Sequence, residues 1–133
     1  MLALAATAGI SLVVPAAAQA APAGTVGASL MLTKTYEYGP VPGRTVSETL
    51  TCSPTGGTHP NAARACEELA RVEADFDSLG SKEGADQCKG PYNEYLPVEV
   101  TAHGIWGHEP VDYRASFPNS CWLSATTGSI FQF

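Results

Sequence analysis

Cys52, Cys66, Cys88 and Cys121 are the chain's only cysteines, and they constrain its folding more than any other feature. In an exported protein four cysteines read as two disulfides, for which three pairings are possible. Export is what the first residues suggest. Residues 1–20 carry no charge, run apolar from Leu2 to Ala18 and end in Ala18-Gln19-Ala20, a small-x-small cleavage pattern. Pro15 lies between the apolar run and that pattern, although the basic residues that usually open a leader are missing. The run is short for a membrane anchor and is interrupted by Gly9 and Pro15. We therefore expect a signal peptide over 1–20, a flexible tail over 21–28 and a single domain over 29–133, secreted to the extracellular space.

Every basic and acidic residue lies beyond residue 20, so the exported part keeps the net charge of −6. That balance argues against nucleic acid and anionic membrane as partners, since both bind basic surfaces. The exported length supports one domain with a modest core.

Residues 29–36 are rich in β-formers, and Gly39-Pro40-Val41-Pro42-Gly43 forces a turn. Over 44–52, Val46, Leu50 and Cys52 share a face interrupted by Glu48, while Thr45, Ser47, Thr49 and Thr51 face the other way. These runs read as an antiparallel pair. After a loop over 53–57, His59-Pro60 opens the one convincing helix. Cys66, Leu69, Val72, Phe76 and Leu79 form its apolar stripe, and Gly80 stops it. Cys66 thereby points inward, near Cys52. Residues 98–102 read as a strand and 103–110 as a turn region around Gly107. A second strand over 111–117 puts Val111, Tyr113, Ala115 and Phe117 on one side. Residues 118–121 end that strand, and 129–133 read as a last short one. The class is α+β, with about five strands in an antiparallel sheet, one main helix and room for a short second one.

Residues 87–97 have no apolar period, so they fit neither a buried helix nor one face of a strand. Gly90, Pro91 and Pro97 leave the segment few backbone conformations. It is tied at Cys88 and enters a strand through a residue that cannot donate a hydrogen bond. A stiff, exposed, cross-linked segment is suited to binding. Catalysis has less to stand on. Ser81 lies between Gly80 and Gly84, but the spacing is not that of a nucleophile elbow and no strand precedes it. Glu67, Glu68, Asp75 and Asp77 occupy the wet face of a helix, their ordinary place. His103 and His108 flank a turn without a Cys-x-x-Cys to complete a zinc set. Trp106 and Trp122 suit sheet packing better than recognition. We expect no enzyme activity, no metal and no cofactor.

With these pieces placed, the chain resembles the Streptomyces subtilisin inhibitor family of secreted serine-protease inhibitors. The likeness rests on Leu50-Thr51-Cys52, on Gly57-Thr58-His59-Pro60 with Ala65-Cys66 following, and on Pro97-Val98. It continues in Gly104-Ile105-Trp106-Gly107, in Phe117-Pro118-Asn119-Ser120-Cys121 and in Gly128-Ser129-Ile130-Phe131-Gln132-Phe133. The resemblance implies disulfides Cys52–Cys66 and Cys88–Cys121, a five-stranded antiparallel sheet with helices on one face, and a homodimer through the other. It also implies substrate-like inhibition of an extracellular serine protease, subtilisin-like or trypsin-like. The reactive loop would comprise Cys88, Lys89, Gly90, Pro91, Tyr92, Asn93, Glu94 and Tyr95.

The family's reactive bond follows the second residue after this cysteine, here Gly90, and Pro91 would come next. Proteases of this type cut poorly before proline. The loop also looks longer than the family pattern by a short insertion. Counting back from Glu94-Tyr95-Leu96-Pro97-Val98 gives Asn93–Glu94 as the reactive bond instead, with Lys89–Gly90 suiting a trypsin-like enzyme and Tyr92–Asn93 one that prefers aromatics. The alternative function is a non-inhibitory secreted binding module on the same scaffold.

Overall fold

The computed structural model describes residues 27–40, 43–90 and 94–133. The leader, most of the proposed tail, Val41, Pro42 and Pro91, Tyr92 and Asn93 lie outside the described residues. β1 (Ala28–Tyr36) pairs antiparallel with β2 (Thr45–Cys52) on one edge and with β4 (Val98–Trp106) on the other. β3 (Gly56–Gly57) extends the sheet beside β2, and β5 (Glu109–Phe117) beside β4, giving the order β3-β2-β1-β4-β5. Three helices follow the chain: α1 (Ala62–Arg71), α2 (Lys82–Gln87) and α3 (Ser120–Thr127).

Alternation explains which face is buried. Leu30 and Leu32 of β1, Leu50 and Cys52 of β2, and Val98, Val100 and Ala102 of β4 point into one core. Ala65 and Leu69 of α1, Leu123 of α3, Phe76, Ile130 and Phe131 cover them. Each large apolar side chain so buried contributes about 1.5–3 kcal/mol. The closest approach of β1 and β4 needs Gly104, whose φ of +150° and missing Cβ leave room for the Ser29 carbonyl. Disulfides join Cys52 to Cys66 and Cys88 to Cys121.

Three sequence expectations need correction. The helix expected to reach Gly80 ends at Arg71: Glu73 and Ala74 turn left-handed, at φ of 50° and 59°, and Ala74 N–H donates to the Leu69 carbonyl at 2.9 Å. Asp75 then caps a 3-10 turn at Phe76–Ser78, accepting from Asp77 N–H and from the Ser78 hydroxyl. Phe76 still reaches the core, where it stacks on Tyr113 at 4.6 Å, so the apolar period survives a break in the backbone that produced it. β4 also runs on to Trp106, beyond the Ala102 limit, and the turn is confined to Gly107 and His108.

The third correction is at the C-terminal end. Residues 129–133 are not a strand; the fifth strand is β3, and residues 120–127 form α3. Ile130 and Phe131 are buried, but side-chain donors hold their backbone instead of a ladder. Lys34 Nζ, on the core face of β1, donates to the carbonyls of Phe131, at 3.1 Å, and Phe133. His59 Nε2 lies 2.9 Å from the Ile130 carbonyl, so this nitrogen carries the proton, while Nδ1 accepts from Asn61 N–H. Buried polar groups with such partners escape the desolvation penalty of unpaired ones.

Glu68 closes the same strap from α1, its carboxylate accepting from both the backbone N–H and the hydroxyl of Ser129 at 2.8 and 3.0 Å. Burial pushes the Glu68 carboxyl up, but the bonds from Ser129 and Arg64 together hold it below the usual carboxylate range. A depressed carboxylate contributes stability above its unfolded-state pKa and loses it as pH falls through the folded value. Glu68→Ala should therefore lower unfolding free energy by about 1–3 kcal/mol at pH 7 by orphaning the Ser129 N–H. In denaturant titrations the gap between parent and variant should narrow below pH 4, through the ordinary carboxylate range and beyond.

Candidate functional site

The segment that joins α2 to β4 lies at the end of the sheet where β1 finishes and β4 begins. Gln87 closes α2, and Cys88 N–H donates to the Ala85 carbonyl at 3.1 Å. Cys88 is buried, its sulfur bonded to Cys121 in the first turn of α3. Lys89 and Gly90 then emerge into solvent, with Lys89 Nζ 2.7 Å from the Asp86 carboxylate. This is a mutually exposed pair three residues apart, worth little to stability.

The far side of the segment is held more closely. Glu94 and Tyr95 are exposed, Tyr95 to 81%, yet their backbone is anchored. The Asn119 amide donates from Nδ2 to the Glu94 carbonyl at 3.1 Å. Leu96 N–H donates to the Pro118 carbonyl at 3.0 Å, and Glu37 N–H to the Pro97 carbonyl at 2.9 Å. Val98 then enters β4 opposite Tyr36. The disulfide anchors the segment on its N-terminal side, and three hydrogen bonds anchor it on its C-terminal side.

Of the expected loop residues, Lys89, Gly90, Glu94 and Tyr95 are exposed, Cys88 is buried, and Pro91, Tyr92 and Asn93 lie outside the described residues. His103 is remote from it, on the uncovered face of β4, 3.0 Å from Asp112 of β5. Ser81 caps α2 by accepting from Gly84 N–H, and Trp106 is buried in the core. Asn119, expected from the sequence only as part of the Phe117-Pro118-Asn119-Ser120-Cys121 motif and with no role of its own, serves twice: its Oδ1 caps α3 by accepting from Trp122 N–H, and its Nδ2 donates to the Glu94 carbonyl. An asparagine just ahead of Ser120-Cys121 is an N-cap pattern, and that was the available signal.

The family model described as "Subtilisin inhibitor-like" matches residues 26–119. The chain belongs to this family. Subtilisin inhibitor-like protein 2 of Streptomyces rochei is 43% identical over 86 residues, which are 64% of this chain and 73% of that protein. Subtilisin inhibitor-like protein 4 of Streptomyces lavendulae is 45% identical over the same length, 64% of this chain and 71% of its own. Among solved structures, Streptomyces caespitosus sermetstatin in complex with Bacillus licheniformis subtilisin superposes with a TM-score of 0.61. That likeness covers 80% of this chain and 99% of the other at 24% identity, and it is a likeness of fold.

The two bonds of Asn119 can be separated. Asn119→Ala removes cap and loop anchor together and should lower stability by about 0.5–2 kcal/mol. Asn119→Asp keeps the accepting oxygen but has no donor for Glu94. It should melt near the parent temperature, yet be nicked between residues 88 and 97 faster than the parent under limited proteolysis.

Proposed function

We propose that the chain is a secreted inhibitor of subtilisin-like serine proteases that offers residues 88–97 as a substrate slow to leave, and that it is not an enzyme. The observation that carries this reading is the anchoring of both ends of a segment whose described residues Lys89, Gly90, Glu94 and Tyr95 are exposed, in a chain whose relatives carry the names of protease inhibitors. A serine protease attacks a carbonyl in the segment, and its histidine passes the proton to the leaving amine. Ordinarily that amine diffuses away. Here Asn119, Pro118 and Glu37 hold the new amino end, while Cys88 holds the acyl side, so the amine can attack the acyl-enzyme again at high effective concentration. Preorganisation also removes much of the ordering cost that a flexible peptide meets on binding.

We place the reactive bond at Asn93–Glu94. This register puts Asn119 on the carbonyl of the first residue after the bond, and it keeps proline out of that position. Pro91 then stands third before the bond, where it removes a donor worth about 1 kcal/mol to an enzyme that pairs with the inhibitor backbone. Lys89–Gly90 would instead serve a trypsin-like target. So read, the chain has a leader over 1–20 that is removed on export, a tail over 21–28 and the inhibitor domain over 29–133.

The uncovered sheet face supports a homodimer. It exposes Met31 and Ile105 among threonines, with Thr33 and Thr101 hydroxyls 2.6 Å apart and Thr35 and Thr45 at 2.8 Å. A hydroxyl-rich sheet surface with exposed Met31 and Ile105, and with charges in the His103–Asp112 and Arg114–Glu99 pairs toward β5, can face its own copy about a twofold axis. Light scattering after size exclusion should give twice the chain mass, and a monomer at micromolar concentration would remove the dimer from this reading.

Titration of subtilisin with the mature protein should abolish activity near equimolar ratio. Slow acidic incubation of the complex should yield a new N-terminus at Glu94, and Asn93→Leu should tighten binding because asparagine fills an apolar pocket poorly. A terminus at Gly90 or Pro91 would refute the register. Plain degradation of the loop would favour the binding-module alternative.

A further inference from the structure

Four large apolar side chains are markedly exposed among the described residues. Met31 and Ile105 belong to the open sheet face, whereas Tyr38 and Tyr95, 52% and 81% exposed, lie beside the reactive segment. Tyr95 is part of that segment, but Tyr38 comes from the turn that leaves β1. The two border one cleft of about 370 Å³, whose remaining walls are Glu37, Gly39, Leu96 and Pro97.

We infer that the turn carrying Tyr38 is a second contact surface for the bound protease, taking an apolar side chain from the rim of the enzyme's cleft beyond the cut bond. The inference rests on the inhibitor reading above. Tyr95 stands second after the proposed bond, so a bound enzyme must cover it. A side chain that shares a cleft with Tyr95 then lies within reach of the enzyme's rim. Tyr38 is also held ready for contact. Tyr36 pairs with Val98, Glu37 N–H bonds the Pro97 carbonyl, and the Tyr36 and Tyr38 rings lie 6.4 Å apart. Gly39 turns the chain at φ +64°, which keeps Tyr38 on the loop's side of the sheet end. Tyrosine presents a large, rigid contact area with few rotors to freeze, which is why interfaces favour it. Two exposed aromatic walls of one cleft suit an apolar insert, and the cleft's continuity with the proposed reactive segment identifies the occupant as the protease.

The test is the inhibition constant and dissociation rate against subtilisin for the parent, Tyr38→Ala, Tyr38→Phe, Tyr95→Ala and Tyr38→Ala/Tyr95→Ala, with thermal melts alongside. Tyr38→Ala should raise the inhibition constant about tenfold or more, mainly through faster dissociation, with an unchanged melt. Tyr38→Phe should stay near the parent. The double variant should lose less than the product of the single losses with Tyr95→Ala, because the two rings share one insert. A Tyr38→Ala protein that inhibits as the parent does overturns the second surface and leaves the inhibitor reading standing. A loss that tracks a lowered melting temperature overturns it too, reducing Tyr38 to scaffold. A parent that does not inhibit overturns both.

Discussion

β1 is hydrogen-bonded along both edges, and its register decides where the functional segment ends. Because Tyr36 pairs with Val98, the segment we propose as reactive enters the sheet beside the turn that leaves β1, and Glu37 can bond Pro97. The same strand supplies Leu30 and Leu32 to the core and Lys34 to the C-terminal strap. A one-residue slip would send these three side chains to the open face and pull Glu37 away from Pro97. Fold and site therefore share a single constraint.

Lys34 shows how such a constraint accommodates a charge. It occupies a core-facing position where an aliphatic side chain would be ordinary, and its ammonium lies 4.9 Å from the centre of the Phe133 ring while donating to two carbonyls. His59 and Glu68 complete the set, so three polar side chains, from β1, from α1 and from the loop before it, fix one strap without strand pairing. That strap buries Ile130 and Phe131 over the sheet, which leaves the helices free to carry Cys121 and Asn119 to the loop.

The strands were legible because a half-buried sheet writes an alternating pattern, as Val111 to Phe117 does. The long helix was misjudged for an instructive reason. Phe76 keeps the helical period because the core requires an aromatic ring there, while the left-handed turn at Glu73 and Ala74 carries no glycine to announce it. Residues 129–133 look like a strand because β-formers are also good core residues, and nothing local reveals that Lys34 and His59 hold them. β3 is two glycines whose pairing depends wholly on β2. At the site, the cysteine anchor and the exposed segment could be read from composition, but the bonds from Asn119, Pro118 and Glu37 join residues distant in sequence. Local pattern carries no trace of them, save for the asparagine cap.

The loop's anchoring is unequal, and that sets what the proposed register implies for inhibition. On the C-terminal side, bonds to Glu94, Leu96 and Pro97 act on nearly consecutive residues, so the amine released by cleavage stays close to its starting position. On the N-terminal side the nearest covalent anchor is Cys88, and in our register the bond follows the fifth residue after it instead of the second. That is a little over one doubling of tether length, about 0.8 kcal/mol in closure entropy, or roughly a fourfold loss of effective concentration for religation. A fourfold loss is small against the gain from tethering itself, so in the proposed register the longer tether would weaken inhibition without converting the chain into an ordinary substrate. Removing the C-terminal anchors would do more, because the amine must reach the acyl carbon in a narrow geometry. In the proposed register, added length beside the cysteine can be tolerated because the precision resides on the other side of the bond.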